Sequence, residues 1–242
     1  MSGFSKKLKK AENGFCTAVV TAAGSSSRMG RDKLMLELDG RSVLETTLRA
    51  VSASESVDEI ILVVRADMIE QAAKICADAG LSKVKKVVCG GKTRVQSSLA
   101  GASEASREAK IIIIHDGARP FVAPEVIDGA VRAAALYRAA APAVPVKDTV
   151  RLARDSVAFE TPDRALLFAV QTPQAFDSDL IKGALTYAVE NELSVTDDCA
   201  CVEAMGIPVH LTPGDEDNIK LTTPADIVLA EAIIEGRKRN GK

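Results

Sequence analysis

The sequence predicts one α/β domain: a doubly wound, mostly parallel sheet with a β-hairpin projecting from it. Three observations lead there. Short, β-rich apolar runs alternate with amphipathic helical segments through the first 145 residues. One run, IIIIH at 111–115, is apolar until its last residue, as central parallel strands buried on both faces tend to be. And 242 residues with 47% hydrophobic content can bury a full core, yet are too few for two large domains.

CTAVVTA supplies the first strand, and a loop of small residues and cations follows it. SVLETTLRAVSA is the first helix, with Ser42 and Glu45 spaced as a capping box. EIILVV is the second strand. The helix after it, about 67–79, has Asp67 and Glu70 in the same spacing and Gly80 as its C′ stop. VKKVV leads into CGGK, and a third helix starts at Thr93 with Gln96 closing another box. IIIIH ends in the loop DGARPF, Pro124 opens a helix to about 139, and APAVPV is the fifth strand. This βαβ order implies crossover helices and a Rossmann-like winding.

The order breaks at about 144–165. VPVKDTVRLARDSVAFETPDR reads as two extended arms around Arg154-Asp155-Ser156, with no helix between them. A hairpin outside the core cannot bury both faces alone, so it predicts a partner surface, most simply a second copy of the chain. Then come FAVQTPQAF, a helix near 178–191, a helix near 197–205 stopped by Gly206, and the strand IPVHL. The loop PGDEDNIKLT leads to a last helix at Pro224, with Thr223 as its cap. A single domain thus spans 15–236, between a basic tail at 1–14 and a second tail at 237–242.

A net charge of −2 argues against a general nucleic-acid binder, so any cations that bind an anion must be local. Five cysteines form no CxxC pair, and with only His115 and His210 as imidazoles a zinc site is disfavoured. Both histidines, and Cys199 and Cys201 on their helix, read as packed residues. Scattered cysteines fit a reduced, cytoplasmic protein. The start MSGFSKKLKKAENGF has no apolar core of a signal peptide, and no stretch is apolar enough to span a bilayer.

Open α/β sheets bind ligands at the carboxyl ends of their strands. The loops there are AAGSSSRMGRDK, CGGKTR, HDGARPF, QTPQ and DNIKLT, and four of the five carry Lys or Arg. The first is neither GxGxxG nor a Walker A sequence. Taken alone it has two equal readings. One is a Gly-Ser connection with solvated charges. The other is a triphosphate cradle in which Gly24 to Ser27 wrap phosphates while Arg28 and Lys33 reach in. Asp116 ends the most apolar strand at that rim, where a carboxylate can hold Mg2+ against phosphate oxygens. Arg119 either pairs with Asp116 or touches substrate. Lys220 lies between Ile219 and Leu221, a solvated strand lysine being the plain alternative. Asp197 and Asp198 suit a helix N-terminus, and could also face the site. No Ser-His-Asp or Cys-His arrangement stands out, which agrees with phosphoryl or nucleotidyl transfer, where positioning and charge neutralisation suffice.

AAGSSSRMG with Lys33, GGKTRVQSS, HDGARPF, PVKDTV, TPDR, QTPQAF, VTDD and DNIKLTTPAD occur together and in this order. The set resembles the 2-C-methyl-D-erythritol 4-phosphate cytidylyltransferase family of the non-mevalonate isoprenoid pathway, over about residues 16–235. The resemblance implies CTP and methylerythritol phosphate as substrates, diphosphate as leaving group, Mg2+, and a homodimer in which one subunit's arm closes the other's site. Arg28 and Lys33 would stabilise the transition state at the α-phosphorus. Ala22, Ala23, Gly24, Ser25, Gly91, Arg94 and Ser97 would meet the nucleotide. Asp116 would hold Mg2+, and Arg119 would lie near the sugar alcohol. Thr149 and Arg164 would reach methylerythritol phosphate from the partner subunit, while Thr172 and Lys220 complete the phosphate site. The attacking phosphate is already anionic, so no general base is required.

Two positions depart from the family pattern: Asp32 stands directly before Lys33 in place of a frequent Pro, and position 92 is Lys where an acidic residue is frequent. The rivals are a ribitol 5-phosphate cytidylyltransferase and a non-catalytic nucleotide-binding protein of the same fold. The joint presence of Arg28, Lys33, Asp116 and Lys220 weighs against the second. The molybdopterin nucleotidyltransferases share the first motif but not the arm.

Overall fold

The computed structural model describes residues 14–24 and 33–239. Of the expected tails at 1–14 and 237–242, residues 1–13 and 240–242 lie outside the described residues, as do Ser25, Ser26, Ser27, Arg28, Arg31 and Asp32 in the first loop. The apolar runs form β1 (Phe15–Ala22), β2 (Glu59–Val64), β3 (Val84–Cys89), β4 (Ala109–Asp116) and β5 (Ala139–Pro145). Between them lie α1 (Val43–Ala53), α2 (Ile69–Asp78), α3 (Arg94–Ser103) and α4 (Pro124–Tyr137). β1 pairs in parallel with β2 and β4, and β2 pairs in parallel with β3.

The arm is β6 (Leu152–Arg154) against β7 (Val157–Glu160), joined through Asp155 and Ser156, both at positive φ (49° and 65°) as a primed hairpin turn requires. Every residue of both strands is exposed, Val157 and Phe159 at 68% and 62%.

FAVQTPQAF then departs from parallel order. It forms β8 (Phe168–Val170) and β9 (Gln174–Asp177), both antiparallel to β5, with Phe168 opposite Pro145 and Ala175 opposite Ala140. β9 also pairs antiparallel with β4. The segment is thus one antiparallel strand, interrupted at 171–173 beside the end of β4. After α5 (Ser178–Glu190) and α6 (Asp198–Glu203), β10 (His210–Pro213) pairs in parallel with β5, and α7 (Pro224–Arg239) closes the chain.

Strand alternation divides the core between two faces. Ile111 and Ile113 pack with α1, α2, α4 and α7, whereas Ile112 and Ile114 pack with α3, α5 and α6. Gly101 lets α3 approach the sheet: a Cβ there would lie 2.3 Å from Val19 Cγ1 and 2.7 Å from Val63 Cγ2, both fully buried. Gly101→Ala is therefore expected to destabilise the fold by about 1–3 kcal/mol through overpacking. Calorimetry should show Tm lowered by roughly 2–4 °C per kcal/mol.

Helix ends follow the sequence in part. Thr93 and Gln96 form both halves of a capping box, and Gly80 and Gly206 stop their helices at φ 64° and 76°. Ser42 caps α1, but the Glu45 carboxylate is drawn to Arg49 at 2.8 Å, so the reciprocal half is missing. The expected Asp67–Glu70 box does not form. A 3₁₀ turn at Ala66–Met68 precedes α2, and Asp67 pairs with Arg65 instead. At α7 the Asp226 carboxylate accepts the backbone N–H groups of Thr222 and Thr223, each at 2.7 Å. The expected boundary at 236 falls inside this helix, which continues to Arg239, with Arg237 donating to the Phe121 carbonyl. The expected strand IPVHL starts late, at His210, and His210 is exposed rather than packed inside, stacked on Tyr137 with centroids 3.7 Å apart. Cys199 and Cys201 are buried as expected, and all five cysteines are free. Among the described residues no helix is long and apolar enough to cross a membrane.

Candidate active site

Loops after β1, β3 and β4 meet in one cleft with the 3₁₀ turn at Lys33–Met35 and the segment around Lys220. Ala22, Ala23, Gly24, Lys33, Gly91, Arg94, Ser97, Asp116 and Lys220 all line it, as does Lys92. Small residues set its width. A Cβ on Gly90 would stand 2.5 Å from Ala23 Cβ, and one on Gly91 would stand 2.3 Å from Gln96 Cβ. The Ser97 hydroxyl accepts from Gly91 N at 3.1 Å and donates to the Thr93 carbonyl, tying the glycine loop to the start of α3. Arg65 at the end of β2, which sequence reading passed over, donates to the Gly24 carbonyl at 3.4 Å.

Asp116 is the electrostatic centre. Its carboxylate meets Lys220 Nζ at 2.9 Å, Arg119 Nε at 3.5 Å and Arg94 Nη2 at 4.0 Å. Burial alone would push the Asp116 carboxyl up, but Lys220, Arg94 and Arg119 outweigh it and bring its pKa down to about 2. Arg119 resolves toward the pairing alternative, and its Nη1 also donates to the Asn218 carbonyl at 2.6 Å.

Behind the cleft, the QTPQ segment at the strand interruption holds three neighbours in place. Thr172 Oγ1 accepts from Asp116 N at 3.1 Å and donates to His115 Nδ1 at 3.0 Å, so its hydroxyl supports Asp116 and is not among the cleft lining. Gln171 brackets the loop before Lys220, donating to the Asp215 carbonyl and accepting from Asp215 N and Asn218 Nδ2. Gln174 Oε1 accepts from the N–H groups of Asp198 and Cys199, both at 3.0 Å, while its amide donates to Asp197. Asp197 caps α6, as the sequence suggests, but Asp198 turns inward and meets Arg94 at 2.6 Å.

Two expected residues stay apart from this cleft within the chain. Thr149 is exposed near the arm, and Arg164 at its base donates to the Lys147 carbonyl at 2.9 Å.

His115 is fully buried and packed, as expected. Nε2 donates to the Arg119 carbonyl at 3.1 Å and Nδ1 accepts from Thr172, a pattern that fits the neutral ring. Burial lowers its pKa to about 4. Between about 4 and 6.5 the unfolded chain binds a proton that the folded protein refuses, so stability falls as pH drops through that window. The expected loss is about 3 kcal/mol. Urea titrations at successive pH values should show this slope in the wild type and its removal in His115→Gln.

Comparison with known proteins agrees with this geometry. The family model described as 2-C-methyl-D-erythritol 4-phosphate cytidylyltransferase (IspD) matches residues 16–236. A relative of that name from Caldanaerobacter subterraneus subsp. tengcongensis is 42% identical, the match covering 90% of this chain and 98% of the relative. A solved structure from Anaerococcus prevotii, described as 4-diphosphocytidyl-2C-methyl-D-erythritol synthase, matches with TM-score 0.83 at 33% identity, over 93% of this chain and 98% of that one. A 2-C-methyl-D-erythritol 4-phosphate cytidylyltransferase structure from Thermus thermophilus gives TM-score 0.74 at 31% identity, over 90% and 98%. With the ordered loops, the mostly parallel sheet and these matches in agreement, the chain belongs to the 2-C-methyl-D-erythritol 4-phosphate cytidylyltransferase family.

Proposed function

We propose that the chain transfers CMP from CTP to 2-C-methyl-D-erythritol 4-phosphate, releasing diphosphate, in isoprenoid precursor synthesis. One observation carries the reading: a single cleft joins bare backbone at Gly24 and Gly91 with Lys33, and with Arg94 and Lys220 beside the Asp116 carboxylate. Such a site suits a polyphosphate approached by a second anion.

In this reaction an anionic phosphate oxygen attacks the α-phosphorus of CTP, and the bond to the diphosphate oxygen breaks. No proton has to be removed, and His115, buried outside the cleft lining with both ring nitrogens hydrogen-bonded, is not needed as a base. The protein's task is to hold two polyanions in line and offset their repulsion. Lys33 and Lys220 supply positive charge from the cleft, and we assign Arg28, outside the described residues, to the same role. Arg94, Ser97 and the backbone of Ala22 to Gly24 and Gly91 hold the nucleotide, with Ser25 continuing that loop.

Asp116 fits Mg2+: it is a cleft-lining oxygen donor kept ionised by its neighbours. Mg2+ is commonly held by one or two carboxylates together with substrate phosphates, and would there screen the phosphate oxygens of CTP. Arg119, fixed between Asp116 and Asn218, is assigned to the polyol side. Thr149 and Arg164 are assigned to the site of a second subunit. The exposed apolar side chains Val157, Phe159, Leu166 (78%) and Phe168 (45%) on and beside the arm support a homodimer. The free cysteines fit a reducing compartment, and we place the enzyme in the cytoplasm.

Diphosphate release from CTP should depend on methylerythritol phosphate and not occur with ribitol 5-phosphate. Release with ribitol 5-phosphate alone would change the substrate. No release with either would leave a nucleotide-binding protein.

A further inference from the structure

A second carboxylate acts on the cleft only through an arginine. We propose that Asp198 is a positioning residue: by holding Arg94 away from Asp116, it keeps the Asp116 carboxylate available to the Mg2+ that accompanies CTP. The inference rests on the CTP reading above.

Arg94 opens α3 and lies between two acids. Its Nη2 is 2.6 Å from Asp198 Oδ2 but 4.0 Å from Asp116 Oδ1. Asp198 has no exposed surface, and its place is fixed from three sides. Gln174 accepts its backbone N–H, Asp197 caps the same helix from the preceding position, and Cys199 next to it is held by the same Gln174 oxygen. Burial pushes the Asp198 carboxyl up, and Arg94 works against that push.

Stability alone is a weak reason for such a pair. Two charges taken out of water lose about as much hydration as their attraction returns, and apolar replacements are often neutral or better. Position gives a stronger reason. Asp116 already carries Lys220 at 2.9 Å and Arg119 at 3.5 Å. Were Arg94 released, its nearest remaining anion would be Asp116, and a third close cation would occupy oxygens that a metal needs. Asp198 holds that cation in reserve, near enough to meet phosphate yet off the carboxylate.

The test is calorimetric titration of CTP into the full-length protein over a series of Mg2+ concentrations, with no polyol phosphate present. Asp198→Asn keeps the side chain's size but removes its charge. It is expected to raise the Mg2+ concentration giving half the metal-dependent gain in CTP affinity by about 10–100-fold, the range seen when outer partners of metal ligands are lost. Adding Arg94→Gln to this variant removes the misplaced cation and leaves a neutral pair. The double variant should return the Mg2+ midpoint to the wild-type value or below, a rescue that a purely structural role would not give.

An unchanged midpoint in Asp198→Asn, whatever its Tm, overturns the proposal. So does a midpoint that stays raised in the double variant, which also carries the test should the single variant not fold. If the wild-type protein does not bind CTP at all, the substrate reading falls, and this inference with it.

Discussion

Asp116→Asn is expected to fold, to bind CTP, and to lose transfer by about 10²–10³ in kcat, the scale of removing one preorganised electrostatic contact. The amide keeps the shape of the carboxylate but none of its charge. Lys220 and Arg119, now paired with that carboxylate, would face each other without it, while Arg94 keeps Asp198. In the empty protein this costs stability. The wild-type carboxylate, with its pKa near 2, supplies its share fully above about 3.8 and loses it as pH falls toward 2. The variant should lack that acid-side slope. For the nucleotide the sign reverses, because phosphate takes the place of the lost carboxylate as the anion nearest Lys220 and Arg119. CTP should therefore bind without Mg2+ at least as well as to the wild type, while Mg2+ should no longer improve binding. Low turnover together with metal-independent CTP binding is the combination to look for. Wild-type turnover with an unaltered Mg2+ response would remove Asp116 from the site.

That pairing illustrates what local sequence carries and what it does not. The strand at 111–116 was legible because an unbroken apolar run fits a strand buried on both faces, and Thr93 with Gln96 was legible because a capping box is a three-residue pattern. The direction of FAVQTPQAF was not legible. An apolar run looks the same whichever way it points, and only pairing with β4 and β5 makes it antiparallel. The same limit hides Asp198, which lies 104 positions from Arg94, so no periodicity links them. Its neighbour Asp197 does what the sequence suggests and caps the helix, and nothing local distinguishes the two. His210 looks like a strand residue in an apolar context, yet the strand begins at it and leaves the ring exposed on Tyr137. Asp67 and Glu70 had the right spacing, but Arg65 offers Asp67 a charged partner while the chain makes a 3₁₀ turn first. Spacing names candidates; competing partners decide among them.

Competition between partners also shapes the expected result of mixing two dead enzymes. Lys33 lines the cleft of its own subunit, while Arg164 sits at the base of an arm that no core element covers. If the arm completes a second subunit's site, Lys33→Ala and Arg164→Ala each inactivate every site of their own homodimer, each by about 10²–10³ in turnover. In a heterodimer of the two, however, one site receives both substitutions and the other receives neither. Co-refolding equal amounts should then restore about a quarter of wild-type activity, since half the dimers are mixed and half of their sites are intact. Two features of the structure favour this outcome over a self-contained site. Arg164 donates to the Lys147 carbonyl and is not among the residues lining its own cleft. And Leu152, Val157, Phe159 and Leu166 present an apolar surface that water alone would face in a monomer. A mixture no more active than its components would show that each site is built within one chain. Activity in a species that light scattering finds monomeric would lead to the same conclusion, and would leave the exposed arm needing another partner.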